Sequence, residues 1–119
     1  MEITELLKIA AEPTLIASAK TAHEILADLN SLISELRLDV SALELKADIH
    51  HNLLMQQRDK NIALKESEYK ISEPYKEWRL KSGQLTDIRA IRRNLERHAE
   101  LLSSQERFGK SYQNKSYLG

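Results

Sequence analysis

The side chains best placed to do chemistry lie in the middle of the chain. Glu44, Asp48 and His51 are spaced four and three apart, so on a helix they share one side as half of a metal site, with His50 beside them. Helical di-metal proteins complete such a site with a matching Glu-x-x-His or Asp-x-x-His from another helix. No second motif of that kind occurs, which predicts no bound metal or other cofactor and places His50 and His51 at a helix interface or in solvent. His23 and His98 are isolated and carry the same expectation. A glycine-rich phosphate loop, a nucleophile elbow and His-Glu-x-x-His are all missing from the sequence. The lack of cysteine removes thiol nucleophiles, disulfides and Cys-ligated zinc together. These features predict a protein that binds rather than catalyses, with no catalytic residues.

The basic residues of the second half suggest what it binds. Arg89, Arg93 and Arg97 recur every four residues, which on a helix rising ~1.5 Å per residue makes a ridge of guanidinium groups about 6 Å apart. That ridge matches a phosphate backbone. Beyond it Phe108, Lys110, Tyr112, Lys115 and Tyr117 interleave aromatic and basic side chains, a pattern able to stack on and neutralise single-stranded nucleic acid. The plainer alternative is a solvated helix face, with Glu96 and Glu100 offering intrahelical pairs.

The elements that must carry these groups are helical. The 119 residues contain three glycines and two prolines, too few turn formers for a multi-stranded β fold. Charged residues make up 30% and aromatics only 5%, a balance suited to long helices rather than a thick core. The formal net charge is zero but uneven: residues 1 to 50 carry four basic against nine acidic side chains, and Arg79 to the end carries nine against four. An acidic half followed by a basic half favours antiparallel packing of the two.

Ile3, Leu6, Leu7 and Ala10 predict a short first helix, with Pro13 ending it or starting the next. From there to about Gln57 nothing breaks a helix. Positions 22, 25, 29, 32, 36, 40, 43, 47, 50 and 54 alternate by three and four as in a coiled-coil seam, with one four-four slip. Thr21 with Glu24, and Ser41 with Glu44, match capping-box spacing and leave open a break near either; Leu36, Leu38 and Val40 alternate with period two, a weak strand signal. After a polar stretch, Ser72-Glu73-Pro74 predicts a helix start with Ser72 as cap, followed by an apolar stripe of Leu85, Ile88, Leu95, Ala99 and Leu102. Gly109 is the expected terminator near Arg107.

The long helix carries a second apolar stripe, Leu38, Ala42, Leu45 and Ile49, opposite Leu36 and Leu43. One hairpin partner cannot cover both faces. The short first helix is one candidate cover, and a second copy of the chain is the favoured one, making these four residues the expected oligomer interface.

The stretch from Arg58 through Leu64-Lys65-Glu66-Ser67-Glu68-Tyr69, followed by Ile88-Arg89-Ala90-Ile91-Arg92-Arg93-Asn94-Leu95, resembles small helical phage proteins associated with recombination. In layout it is similar to recombination mediators of the T4 type, over roughly residues 45 to 108. That resemblance implies a helical oligomer that loads a recombinase on single-stranded DNA. The acidic N-terminal half and the C-terminal tail depart from the family.

The expected architecture is therefore all-α. A long antiparallel, coiled-coil-like hairpin with a short N-terminal helix forms one domain over residues 1–107, and 108–119 form a flexible or partner-docking tail. The expected function is that of a phage-type accessory protein that self-associates and binds single-stranded DNA or a recombination or replication protein. The alternative is a protein-only inhibitor, adaptor or virion component. Without a signal-peptide core or an apolar run approaching ~18 residues, no membrane or small-molecule partner is expected, and the location is cytoplasmic, in the host if phage-encoded. In an antiparallel pair, residues at one level have a constant sum of numbers. Asp39 and Arg92 are the charged residues in the two seams; their sum of 131 predicts an Asp39–Arg92 pair that fixes register and a turn centred near Lys65.

Overall fold

The computed structural model describes residues 2–118, with side chains through Phe108. The chain is all-α: among the described residues there is no strand, and a long antiparallel helical hairpin follows a short N-terminal helix. The helices are α1 (Ile3–Ala11), α2 (Ala19–Met55), α3 (Ile62–Ile71) and α4 (Glu73–Leu118), with a 3-10 turn at Pro13–Leu15. No helix among the described residues is long and apolar enough to cross a membrane. Contacts group the chain into a terminal unit, Met1–Leu32 with Ile88–Gly119, and a central unit, Ile33–Asp87.

In the terminal unit α1 buries Leu6 and Ala10, one turn apart on a single face. Pro13 opens the 3-10 turn, where its missing N–H leaves no bond unmade. Ser18 then starts α2 as its cap, accepting from Thr21 N at 3.4 Å. The first part of α2 buries Ala22, Ile25, Leu26 and Leu29, α4 buries Ile88, Leu95, Ala99 and Leu102, and Leu29 and Leu95 are fully enclosed. Two polar contacts fix the direction of this packing. Ala19 N donates to Glu106 Oε1 at 3.1 Å, and Arg92 Nη1 donates to Asn30 Oδ1 at 3.4 Å, so α4 numbers fall as α2 numbers rise.

Those contacts give residue sums of 125 and 122 rather than 131. The displacement is about one heptad, which carries every seam position onto another seam position and leaves the apolar pattern equally satisfied. The expected Asp39–Arg92 pair is replaced accordingly. Arg92 reaches Asn30, its Nε lies 3.4 Å from Glu96 Oε1 without hydrogen-bond geometry, and Asp39 is exposed in the central unit with no ion pair among the described residues.

In the central unit the seam continues through Ile33, Leu36, Ala47 and Leu54, all buried, with Val40, Leu43 and His50 half-buried. α2 passes Thr21 and Ser41 unbroken, so neither capping-box match ends it and the Leu36–Val40 alternation is helical. The reversal occupies residues 56–61 rather than centring on Lys65. Asn61 caps α3 by accepting from Leu64 N at 2.9 Å. Ser72 sits at the expected boundary in a different role: its hydroxyl donates to Tyr69 O at 2.6 Å and closes α3 instead of capping α4. α4 then extends to Leu118, so no helix end falls at Gly109.

Candidate interaction surfaces

α2 has no acidic residue in its first turn and no basic residue in its last, so its end charges are neutralised from elsewhere. At its start the Glu106 carboxylate takes one of the orphan N–H groups, that of Ala19. At its end Lys65 of α3 donates to Met55 O at 2.9 Å, which explains why a lysine is only 8% exposed. His98, expected at an interface or in solvent, holds the linker before α2: its Nε2 lies 2.8 Å from Ile16 O, and since a carbonyl only accepts, the proton sits on Nε2.

The Glu44–Asp48–His51 side of α2 meets α3. His51 Nε2 lies 2.8 Å from Glu66 Oε1, and its ring stands edge to face with Tyr69 at 4.5 Å. Tyr69 continues to Tyr75 at 4.9 Å, and Tyr75 to Trp78 at 5.9 Å. Burial first, then the charge of Asp48, pushes the Tyr69 phenol above its ordinary 10.0, with Tyr75, Glu66 and Glu44 adding to it. Among the described residues no group of three or more His, Asp or Glu side chains is arranged to hold a metal ion. An ion pair between Lys60 and Glu68 clasps the start of α3, and this hydrogen bond raises the lysine above 10.5.

The second stripe of α2 is open. Leu38 is 74% exposed, Leu45 62% and Ile49 52%, Ala42 is exposed between them, and Leu53, which the sequence reading did not include, extends the face at 58%. Neither α1 nor any other described element covers it. Four large aliphatic side chains more than half exposed on one helix face form a contiguous apolar strip, unlike the scattered surface leucines of ordinary monomers.

Arg89, Arg93 and Arg97 are all exposed on α4 in the terminal unit. None of the three has a salt bridge or a side-chain hydrogen bond among the described residues, whereas Arg92 is held by Asn30 and Glu96. Glu96 is therefore engaged with Arg92 and not with the ridge. Lys110, Tyr112, Lys115 and Tyr117 lie outside the residues whose side chains are described. Sequence reasoning missed Lys65, Glu66, Tyr69 and Trp78, which sat in a stretch it read as a polar connection and in the first turns of α4. The signal available was Asn61, a capping residue followed by ten residues free of glycine and proline.

No family model, curated protein or solved structure matches the chain.

Proposed function

We propose that the protein is a non-enzymatic helical accessory protein that self-associates through the apolar face of α2 and offers the Arg89, Arg93 and Arg97 ridge to a single-stranded nucleic acid. The observation that carries this reading is the exposure of Leu38, Leu45, Ile49 and Leu53 on a single face of a helix whose other face is already packed. Exposed apolar area of this kind is stabilised by about 25 cal/mol per Å² when covered, a strong drive to associate. The resemblance to phage recombination mediators fits an oligomer that handles single-stranded DNA. The ridge supplies the electrostatic part, since three exposed guanidinium groups at one-turn spacing, unengaged among the described residues, release counterions when phosphates replace them.

A protein-only reading, as inhibitor, adaptor or virion component, is favoured by the zero net charge and by the further exposed apolar residues Ile62, Leu64 and Ile71 of α3. Two measurements separate the readings. In sedimentation velocity, Leu45→Ser with Ile49→Ser shifts the wild-type oligomer toward monomer while circular dichroism holds; a wild type monomeric at every concentration overturns self-association. In oligonucleotide binding, changing Arg89, Arg93 and Arg97 to Gln lowers the slope of log K against log salt by about 2, at ~0.7 per lost phosphate contact on a single strand. Unmeasurable wild-type binding at low salt leaves the protein-only function.

A further inference from the structure

The order of residues along the open face of α2 says which way a second copy lies on it. This rests on the self-association just proposed and goes further, to the orientation and symmetry of the contact. Continued at three-four spacing, the face runs Glu35, Leu38, Ala42, Leu45, Ile49, Asn52, and all six side chains are exposed. It is apolar in the middle, and polar and unlike at its two ends. Asp39, Lys46 and Leu53 flank it on one side, Ser41 and Asp48 on the other, and all five are exposed as well.

In a parallel, in-register pair each residue meets its own copy. Glu35 would face Glu35, two like charges in a seam, and the small Ala42 would face Ala42, leaving a gap beside the bulky Leu45 layer. An antiparallel pair with residue numbers summing to 87 removes both faults. Leu38 meets Ile49 of the second copy, Ala42 meets Leu45, and Glu35 meets Asn52, whose amide donates to the carboxylate. A large side chain then fills the space left by a small one on both sides of a two-fold axis. The flanks agree: in antiparallel coiled coils each edge meets its own kind, which brings Asp39 beside Lys46 of the second copy twice over and Ser41 beside Asp48. The parallel arrangement would set Ser41 against Lys46 and Asp48 against Leu53, with no ion pair.

We propose that a second copy of this chain docks on the face antiparallel, across a two-fold axis between Ala42 and Leu45, with Asp39–Lys46 pairs between copies closing its edge. Asp39 thereby acquires the ion-pair role that the sequence suggested for it, with a lysine of the second copy in place of Arg92.

The test uses the full chain, whose lack of cysteine makes crosslinking specific. An equimolar mixture of Ala42→Cys and Leu45→Cys chains, oxidised, is expected to give predominantly the mixed 42–45 disulfide; each variant alone crosslinks poorly. Separately, Asp39→Lys or Lys46→Asp alone weakens the dimer several-fold by setting like charges together, and the two combined in one chain restore it. Dimers that crosslink 42 to 42 and 45 to 45, with no rescue by the double reversal, overturn the antiparallel arrangement and leave self-association standing. A wild type that sediments as monomer at every concentration overturns both.

Discussion

The terminal and central units use the same helix, α2, in different ways. In the terminal unit α2 has one apolar face, and it is buried, with Leu29 and Leu95 wholly out of solvent. In the central unit it has two apolar faces, and only one is covered among the described residues. The covered side is held by few fully buried aliphatics and by polar and aromatic contacts from α3: the Lys65 bond to Met55, the His51–Glu66 contact and the His51–Tyr69 ring pair, which Tyr75 and Trp78 of α4 extend. The terminal unit is closed by burial of side-chain volume. The central unit instead leaves an aliphatic face of α2 exposed and is fastened by polar clasps.

The largest expected effect breaks this comparison most directly. Leu29→Ala or Leu95→Ala leaves a cavity in the terminal unit and is expected to cost about 2–5 kcal/mol in urea unfolding. Leu45→Ser, at a residue of the same type, is expected to change the stability of the monomer by no more than about 0.5 kcal/mol, because its side chain is already in water. Equal costs at Leu29 and Leu45 would abolish the distinction between a closed and an open face.

The next effect sharpens the description of the central unit. Lys65→Met keeps most of the buried stem and removes the ammonium group, stranding the Met55 carbonyl at the end of α2. A hydrogen bond from a charged donor contributes about 1.5–3 kcal/mol, so a loss of that order is expected. Trp78, the single tryptophan, lies in the central unit and reports its unfolding by fluorescence. A Lys65→Met variant as stable as wild type would mean that packing of the stem, not the cap, holds the lysine in.

The same contrast explains what could be read from the sequence. All five residues of the stripe from Leu85 to Leu102 are buried, and every position of the long seam from Ala22 to Leu54 is buried or half-buried, because three-four spacing gathers side chains on one helix face that a neighbouring helix can cover. Register was not legible. A one-heptad slide conserves the seam, and what decides it, Glu106 at the start of α2 and Asn30 beside Arg92, joins residues more than sixty positions apart. The clasp of α3 onto α2 was illegible for another reason: Lys65, Glu66 and Tyr69 look like surface residues by type, and only the placement of α3 makes one a cap and another a ring partner. The second stripe, by contrast, was visible as an apolar face that a single hairpin partner could not cover along with the seam.

The smallest expected effect separates the units by pH. The Tyr69 phenol is raised in the folded central unit by burial and then by the negative charge of Asp48, so the fold favours its neutral form. For a group whose folded value exceeds its unfolded value, the stabilisation is fully present below the unfolded value, about 10 for tyrosine, and is lost as pH rises through the folded one. Unfolding monitored by Trp78 is therefore expected to become easier as pH climbs above about 10, and Tyr69→Phe, which keeps the ring against His51 and Tyr75, should flatten that slope. The flattening is partial, since Lys60, raised by its bond to Glu68, titrates in the same alkaline range. Tyrosinate absorbance gives a second readout: the wild type should show a late-titrating phenol that Tyr69→Phe removes. An unchanged alkaline slope in Tyr69→Phe, with the phenol it removes titrating like a free tyrosine, would place Tyr69 in solvent and dissolve the aromatic link between α3 and α4.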